Sequence, residues 1–374
     1  MRNRLVCIGV LCVLCAVQST ATWAQNQPTS GDGPAFATEA DVKLSTIRSL
    51  IGAKDYDNAE SLAEEITRES PGMLDAWMML AYTRTLTGKF ALSNDAYDVA
   101  LEYGADKKEI YIRKAYNCRR LGDVDQTREC YRLILEDDAS NVEVLVQFGA
   151  YEQKTENYDA AAELFMAALD IQPEHMQAIE ALAKTEEKRG NNAQVKYWLE
   201  RGISYEPENT KLLKRLSLVY LNEQNYSLAI HYLDKVIAID PENTAAHRNK
   251  GIAHYQQGNK KKAIESFEAV RTLGGKTKGL YGPLADCYRS AKKSSKALEI
   301  VKEGLSEDDQ KAWLYSVWGK ILEDQKNYDA AIAKFSHAVA LKDEPWSGYA
   351  RKQISRQSQL KKREAMIAAQ AGME

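Results

Sequence analysis

Residues Asn225–Asn243 read NYSLAIHYLDKVIAIDPEN. Tyr226, Ala229, Leu233, Val236 and Ile237 recur three and four residues apart, so they share one face of a helix. Asp240 precedes Pro241, and a residue before proline is biased out of helical geometry, so the helix stops there. The same pattern is written at Asn157, NYDAAAELFMAALDIQPEH, and at Asn327, NYDAAIAKFSHAVALKDEP. Tyr158 and Tyr226 lie 68 residues apart, twice 34, and Tyr226 and Tyr328 lie 102 apart, three times 34. A fixed period of this length is the mark of stacked supersecondary units, each burying its apolar face against its neighbours.

With this tyrosine numbered 17, units start at Ala40, Leu74, Lys108, Val142, Met176, Thr210, Thr244, Lys278 and Ala312, nine in unbroken phase over 40–345. Position 8 is small in all but the first: Ile47, then Ala81, Ala115, Gly149, Ala183, Ser217, Gly251, Ala285 and Gly319. Position 20 reads Ala59, Ser93, Thr127, Ala161, Val195, Ala229, Ala263, Ala297 and Ala331. Small residues at both positions let the two helices of a hairpin approach closely. Position 24 supplies the bulk: Tyr97, Tyr131, Phe165, Leu199, Leu233, Phe267, Val301 and Phe335, with Ala63 the exception. Pro71, Pro173, Pro207 and Pro241 share position 32, at the turn between units.

This register resembles the tetratricopeptide-repeat family over most of the chain. The resemblance implies an all-α, right-handed solenoid of nine 34-residue helix-turn-helix repeats. The length of 374 residues would otherwise suggest two or three domains. Residues 346–374, where Ile354, Leu360, Met366 and Ile367 are sparse among charges, read as a polar C-terminal capping helix. Repeat 8 departs from the pattern: Gly279, Gly282 and Pro283 fall where its first helix should run, so that helix is expected to start, or to kink, near Pro283.

Residues 1–24 have the layout of a cleaved signal peptide: Arg2 and Arg4, the apolar run Leu5–Val17, then Thr22-Trp23-Ala24 before Gln25. An uncleaved anchor is the alternative, although the run is shorter than the ~20 residues that a span needs. Cleavage after Ala24 would place the mature chain in the periplasm or outside the cell. Loss of two arginines takes its formal charge from −3 to −5. Residues 25–39 are a Pro-, Gly- and Ser-rich tether, expected to be disordered. No stable membrane span is expected beyond the signal. The acidic balance offers no global attraction to nucleic acid.

Catalytic chemistry is nearly absent from the pattern. Gly275-Lys276-Thr277 resembles the end of a phosphate loop, but Val270 stands where an earlier glycine is needed and no strand precedes it. His247 and His254 sit about 10 Å apart along one helix, too far to share a metal without other ligands. Cys118 and Cys130, at positions 11 and 23 of repeat 3, are either small buried hydrophobes or a disulfide. The reading is therefore a non-enzyme with neither cofactor nor metal.

In the family that this chain resembles, the first helix of each repeat lines a concave groove through positions 2, 5, 6, 9, 12 and 13. Read over repeats 3 to 8, these positions give eleven basic residues: Arg113, Arg119, Arg120, Lys154, Lys184, Lys188, Lys211, Lys214, Arg215, Arg248 and Arg289. They give five acidic ones: Glu109, Glu143, Glu180, Glu187 and Asp286. A wall of one sign concentrates the opposite charge. Lys211, Lys214, Arg215, Arg248 and Asn249 form the candidate patch, with Tyr82, Tyr116, Tyr255 and Trp313 as aromatic anchors. The family's two-carboxylate clamp is incomplete: Lys214 and Asn249 match it, whereas Leu218, Gly279 and Pro283 do not. With the N-terminal segment read as a signal, the expectation is a periplasmic or cell-envelope adaptor whose groove, as the resemblance implies, holds an acidic protein or peptide segment. The alternative is a structural or assembly subunit of an envelope machine, such as a pilus or polysaccharide exporter, docking by its convex face or edges.

Overall fold

A computed structural model describes residues 39–275, 279–307 and 311–371. The expected signal peptide, all but the last residue of the tether, and Lys276 and Thr277 lie outside the described residues. Those described form two compact units, divided at Glu136 and Asp137, and contain helices and no strand.

The first unit holds α1 (Glu39–Gly52), α2 (Tyr56–Glu69), α3 (Leu74–Leu86), α4 (Phe90–Glu102), α5 (Lys107–Leu121) and α6 (Val124–Asp137). The second holds α7 (Val142–Lys154), α8 (Tyr158–Ile171), α9 (Met176–Arg189), α10 (Asn192–Tyr205), α11 (Thr210–Asn222), α12 (Tyr226–Ile239) and α13 (Thr244–Gln256). It continues with α14 (Lys260–Thr272), α15 (Tyr281–Ser290), α16 (Ser294–Ser306), α17 (Lys311–Asp324), α18 (Tyr328–Ala340) and α19 (Trp346–Ala371). From α7 to α19, each helix packs on the next. Every second helix of a hairpin begins at position 17, from Tyr56 to Tyr328.

Local chemistry accounts for that regularity. In several repeats the residue at position 16 caps the helix that follows: the side chains of Asp55, Asn225 and Asn327 accept hydrogen bonds from the backbone N–H of Asn58, Leu228 and Ala330. Position 15, just before it, has a left-handed backbone in all nine repeats. Gly88, Gly122, Gly190 and Gly258 occupy it, but so do Lys54, Glu156, Gln224, Lys292 and Lys326, with φ between 59° and 63°. At the far end, Ser70, Gln172, Glu206 and Asp240 precede the four position-32 prolines and are extended, with ψ between 76° and 87°.

Positions 8, 20 and 24 are buried in every repeat. Wherever position 8 is glycine, position 24 is phenylalanine, and the ring fills the missing side chain's space. A β-carbon on Gly149, Gly251 or Gly319 would come within 2.8, 2.5 or 2.7 Å of Phe165, Phe267 or Phe335. The first repeat inverts the sizes: Ile47 at position 8 and Ala63 at position 24 are both fully buried in one cluster.

α15 starts at Tyr281 with Pro283 in its first turn, where a missing N–H leaves no helical bond unmade. α19 is a 26-residue helix whose Ser347, Ala350 and Gln357 are buried, and it packs on α18 and α17.

Candidate functional site

In the second unit, Asn209 caps α11 by accepting from the N–H of Lys211 and Leu212. This sets the helix so that Leu212, Leu213 and Leu216 are buried while Lys211, Lys214 and Arg215 reach the surface. Two of these three cations are already engaged. The Lys211 ammonium pairs with the Glu180 carboxylate of α9. Arg215 reaches Glu187 at 3.3 Å and the Glu180 carbonyl at 3.4 Å. Such exposed pairs are worth ~0–1 kcal/mol, so a partner carboxylate could displace them. Lys214 is half-buried and makes no ion pair among the described residues. Arg248 and Asn249 are half-buried on α13. Lys154, Lys184 and Lys188 are exposed on α7 and α9.

A denser arrangement lies further along the same unit. Asp286 of α15 is buried and accepts from the Tyr255 hydroxyl at 3.1 Å, from Lys260 at 3.1 Å and from Arg289 at 3.3 Å. Arg289 also reaches Asp324 at 3.0 Å. Burial pushes the Asp286 carboxyl up, but Lys260, Lys320 and Arg289 together hold it below the usual carboxylate range. Burial and the adjacent Asp286 charge raise the Tyr255 hydroxyl, so it stays protonated and donates.

Four rings form a strip beside this network. Tyr255 meets Trp313 edge-on at 6.1 Å, Trp313 stacks on Trp346 at 4.4 Å, and Trp346 meets Tyr349 at 6.3 Å. Tyr255 and Trp313 belong to repeats 7 and 9. Repeat 8 offers no side chain at positions 2 and 5, Gly279 and Gly282, where a larger residue would project from the same face. Lys260 sits over Tyr255 at 3.6 Å and Lys320 over Tyr349 at 4.8 Å. Burial lowers the Lys320 ammonium's pKa.

The remaining candidate residues belong to the first unit. Arg113 pairs with Glu109 at 2.7 Å and lies over the Tyr82 ring at 5.8 Å. Arg120 lies over Phe90 at 5.4 Å, and Phe90 meets Tyr116 edge-on at 6.4 Å. Arg119 is exposed on the same helix. Cys118 and Cys130 are free and buried, and burial pushes both thiols up, Cys130 to about 12. Among the described residues, no group of three or more His, Cys, Asp or Glu is placed to hold a metal ion.

Phe90, Lys320, Trp346 and Tyr349 escaped the sequence reading. Phe90 replaces the tyrosine of position 17, and Trp346 and Tyr349 follow the last full repeat. Lys320 was legible: it is position 9 of repeat 9, one repeat beyond those over which the groove positions were counted.

Models of the tetratricopeptide repeat match residues 142–175 and 214–276. Solved structures extend the likeness. The C-terminal part of a repeat-containing protein from Cytophaga hutchinsonii matches with a TM-score of 0.54 and 12% identity, covering 64% of this chain and 99% of that one. The chain thus carries tetratricopeptide repeats over the two matched segments. A tetratricopeptide-repeat protein from Parabacteroides merdae aligns at 20% identity over 67% of this chain and 99% of its own, with a TM-score of 0.44. Pseudomonas aeruginosa pilF aligns at 16% over 57% and 97%, with a TM-score of 0.45. Among curated proteins no match is found. Tetratricopeptide-repeat proteins are generally protein-interaction scaffolds. No described helix is long and apolar enough to cross a membrane.

Proposed function

We propose that this tetratricopeptide-repeat protein is a non-catalytic scaffold of the periplasm or cell envelope, which holds an acidic segment of a partner protein against the first-helix face of its second unit. The supporting observation is the cation surplus on that face. Glu180 and Glu187 each engage one cation of α11, while Lys214, Lys184 and Lys188 have no acidic partner among the described residues. These ammonium groups attract an acidic segment and steer its approach. Lys214 is the best single probe, because changing it breaks no ion pair.

The test is charge reversal at Lys214, Lys184 and Lys188, followed by affinity for the partner at two salt concentrations. Helicity should be unchanged. Binding should weaken at least tenfold, and raised salt should weaken the wild-type complex too, since the Debye length is only ~8 Å at physiological ionic strength. Equal affinity of wild type and variant at both salts would exclude the patch.

The assembly-subunit reading has an observation of its own. Ile171, Tyr205, Ile239, Leu273 and Leu341 all fall at position 30, where the second helix ends, and all are exposed. A row of exposed apolar side chains at one repeat position is a surface for docking by an edge.

A further inference from the structure

The ring strip of the second unit carries a more specific assignment, which rests on the scaffold reading above. Its three ring-to-ring steps of 6.1, 4.4 and 6.3 Å set an upper bound of roughly five extended residues at ~3.3 Å each on the segment it can hold. The four rings are half-buried, so each keeps an accessible part. Stacked indoles present flat apolar surface at little entropic cost, since an indole has only two side-chain torsions.

Charge around the strip is unevenly satisfied. Lys260, at the Tyr255 end, is held by Asp286, and Arg289 is shared between Asp286 and Asp324. Glu323 is engaged by Arg356 at 3.5 Å. Lys320, at the Tyr349 end, is half-buried and makes no ion pair among the described residues; its contact is the Tyr349 ring face. Withdrawing an ammonium from water is unfavourable: burial lowers its proton affinity, and Asp286, already engaged by Lys260 and Arg289, opposes this only from beyond ion-pair distance. An incoming carboxylate would give Lys320 a partner at contact distance in a site drier than the α11 surface, where charge-assisted bonds are stronger.

We infer that the strip Tyr255–Trp313–Trp346–Tyr349, with Lys320 at its end, is a docking site for an extended internal segment of a partner protein. That segment carries an aromatic or proline side chain that lies on the paired indoles, and beside it an Asp or Glu whose carboxylate meets Lys320. Four rings in a chain of contacts, with the cation at one end, favour a segment over a single residue.

The test is selection of random nonapeptides displayed on phage with both ends embedded in the coat protein, against the full chain. Enriched peptides should place an aromatic residue or proline next to Asp or Glu. Synthesised with blocked ends, they should bind with at least tenfold lower affinity to Lys320→Gln and to Trp313→Phe. Both variants should keep the wild-type far-UV circular dichroism, and glutamine at 320 leaves the rings in place. Glu→Gln in the peptide should reproduce the Lys320→Gln loss and should not add to it. Charge reversal at Lys214, Lys184 and Lys188 should leave these peptides bound. Enriched peptides that bind both strip variants as tightly as wild type, or no enrichment at all, would overturn the assignment. Binding lost on charge reversal at the three lysines alone would overturn it while leaving the scaffold reading standing. Recognition lost in neither set of variants would count against both.

Discussion

At the residue scale, the repeat is a set of paired sizes. Gly251 and Phe267 illustrate it: a β-carbon would sit 2.5 Å from the ring, far inside contact distance. Gly251→Ala should therefore destabilise the protein, since overpacking a core costs about 1–3 kcal/mol and outweighs the ~1 kcal/mol that alanine gains over glycine in a helix. In a Phe267→Leu background, the same change should be neutral or stabilising, because Ala183 with Leu199 is a pair that the chain already uses. Chemical denaturation of the four proteins gives the coupling, and additive effects would show that the ring does not set the residue at position 8. Position 15 offers a backbone counterpart. Nothing lies within 4 Å of a β-carbon on Gly190, whose φ is +77°, so Gly190→Ala should cost about 1 kcal/mol through the backbone alone. Gln224→Gly, at φ 59°, should be neutral or gain up to ~1 kcal/mol. A lowered denaturation midpoint for Gly190→Ala, with an unchanged or raised one for Gln224→Gly, is the expected result.

At the element scale, the helices were largely legible and their surfaces were not. Asn225, Asp240 and Pro241 fix the ends of α12 through capping and the residue-before-proline rule, both local and therefore readable in sequence. Pro283 displaced the start of α15 for the same kind of reason. The left-handed turn at position 15 was missed because five of its nine residues are not glycine. The Lys211–Glu180 and Arg215–Glu187 pairs were missed because their partners lie in the preceding repeat, whereas the local pairs that sequence suggests join Glu180 to Lys184 and Glu187 to Lys188. Lys320 shows the same limit: its lack of a contact ion pair depends on which cations Asp286, Glu323 and Asp324 engage across three helices. His254 of α13 is buried, and this has a titration consequence. Burial, and then Lys250 and Lys262, hold its imidazole below the usual value of 6.5, while Asp234 and Glu265 oppose them less strongly. A depressed folded-state value means that the unfolded chain binds the proton more tightly. The stability contribution is therefore present above pH 6.5 and is lost as the pH falls through and below it. Denaturation midpoints should drop between pH 7 and pH 5, and His254→Gln should flatten that slope whatever it does to stability at pH 7. An unchanged slope would place the sensitivity elsewhere.

At the scale of the whole molecule, the central claim is that a partner chain lies on the first-helix face of the second unit. Site-specific photo-crosslinking in the native cell addresses it whatever the partner's identity. A photoreactive amino acid is placed at Lys214 or Asn249 on the proposed face, and at Leu228 or Ile239 on exposed positions of the second helix. The account predicts one discrete partner band from Lys214 and Asn249, absent from Leu228 and Ile239, and lost from Asn249 when Lys214, Lys184 and Lys188 are reversed to glutamate. A discrete band from Leu228 and Ile239, with none from Lys214 and Asn249, would contradict it and favour docking by the second-helix edge.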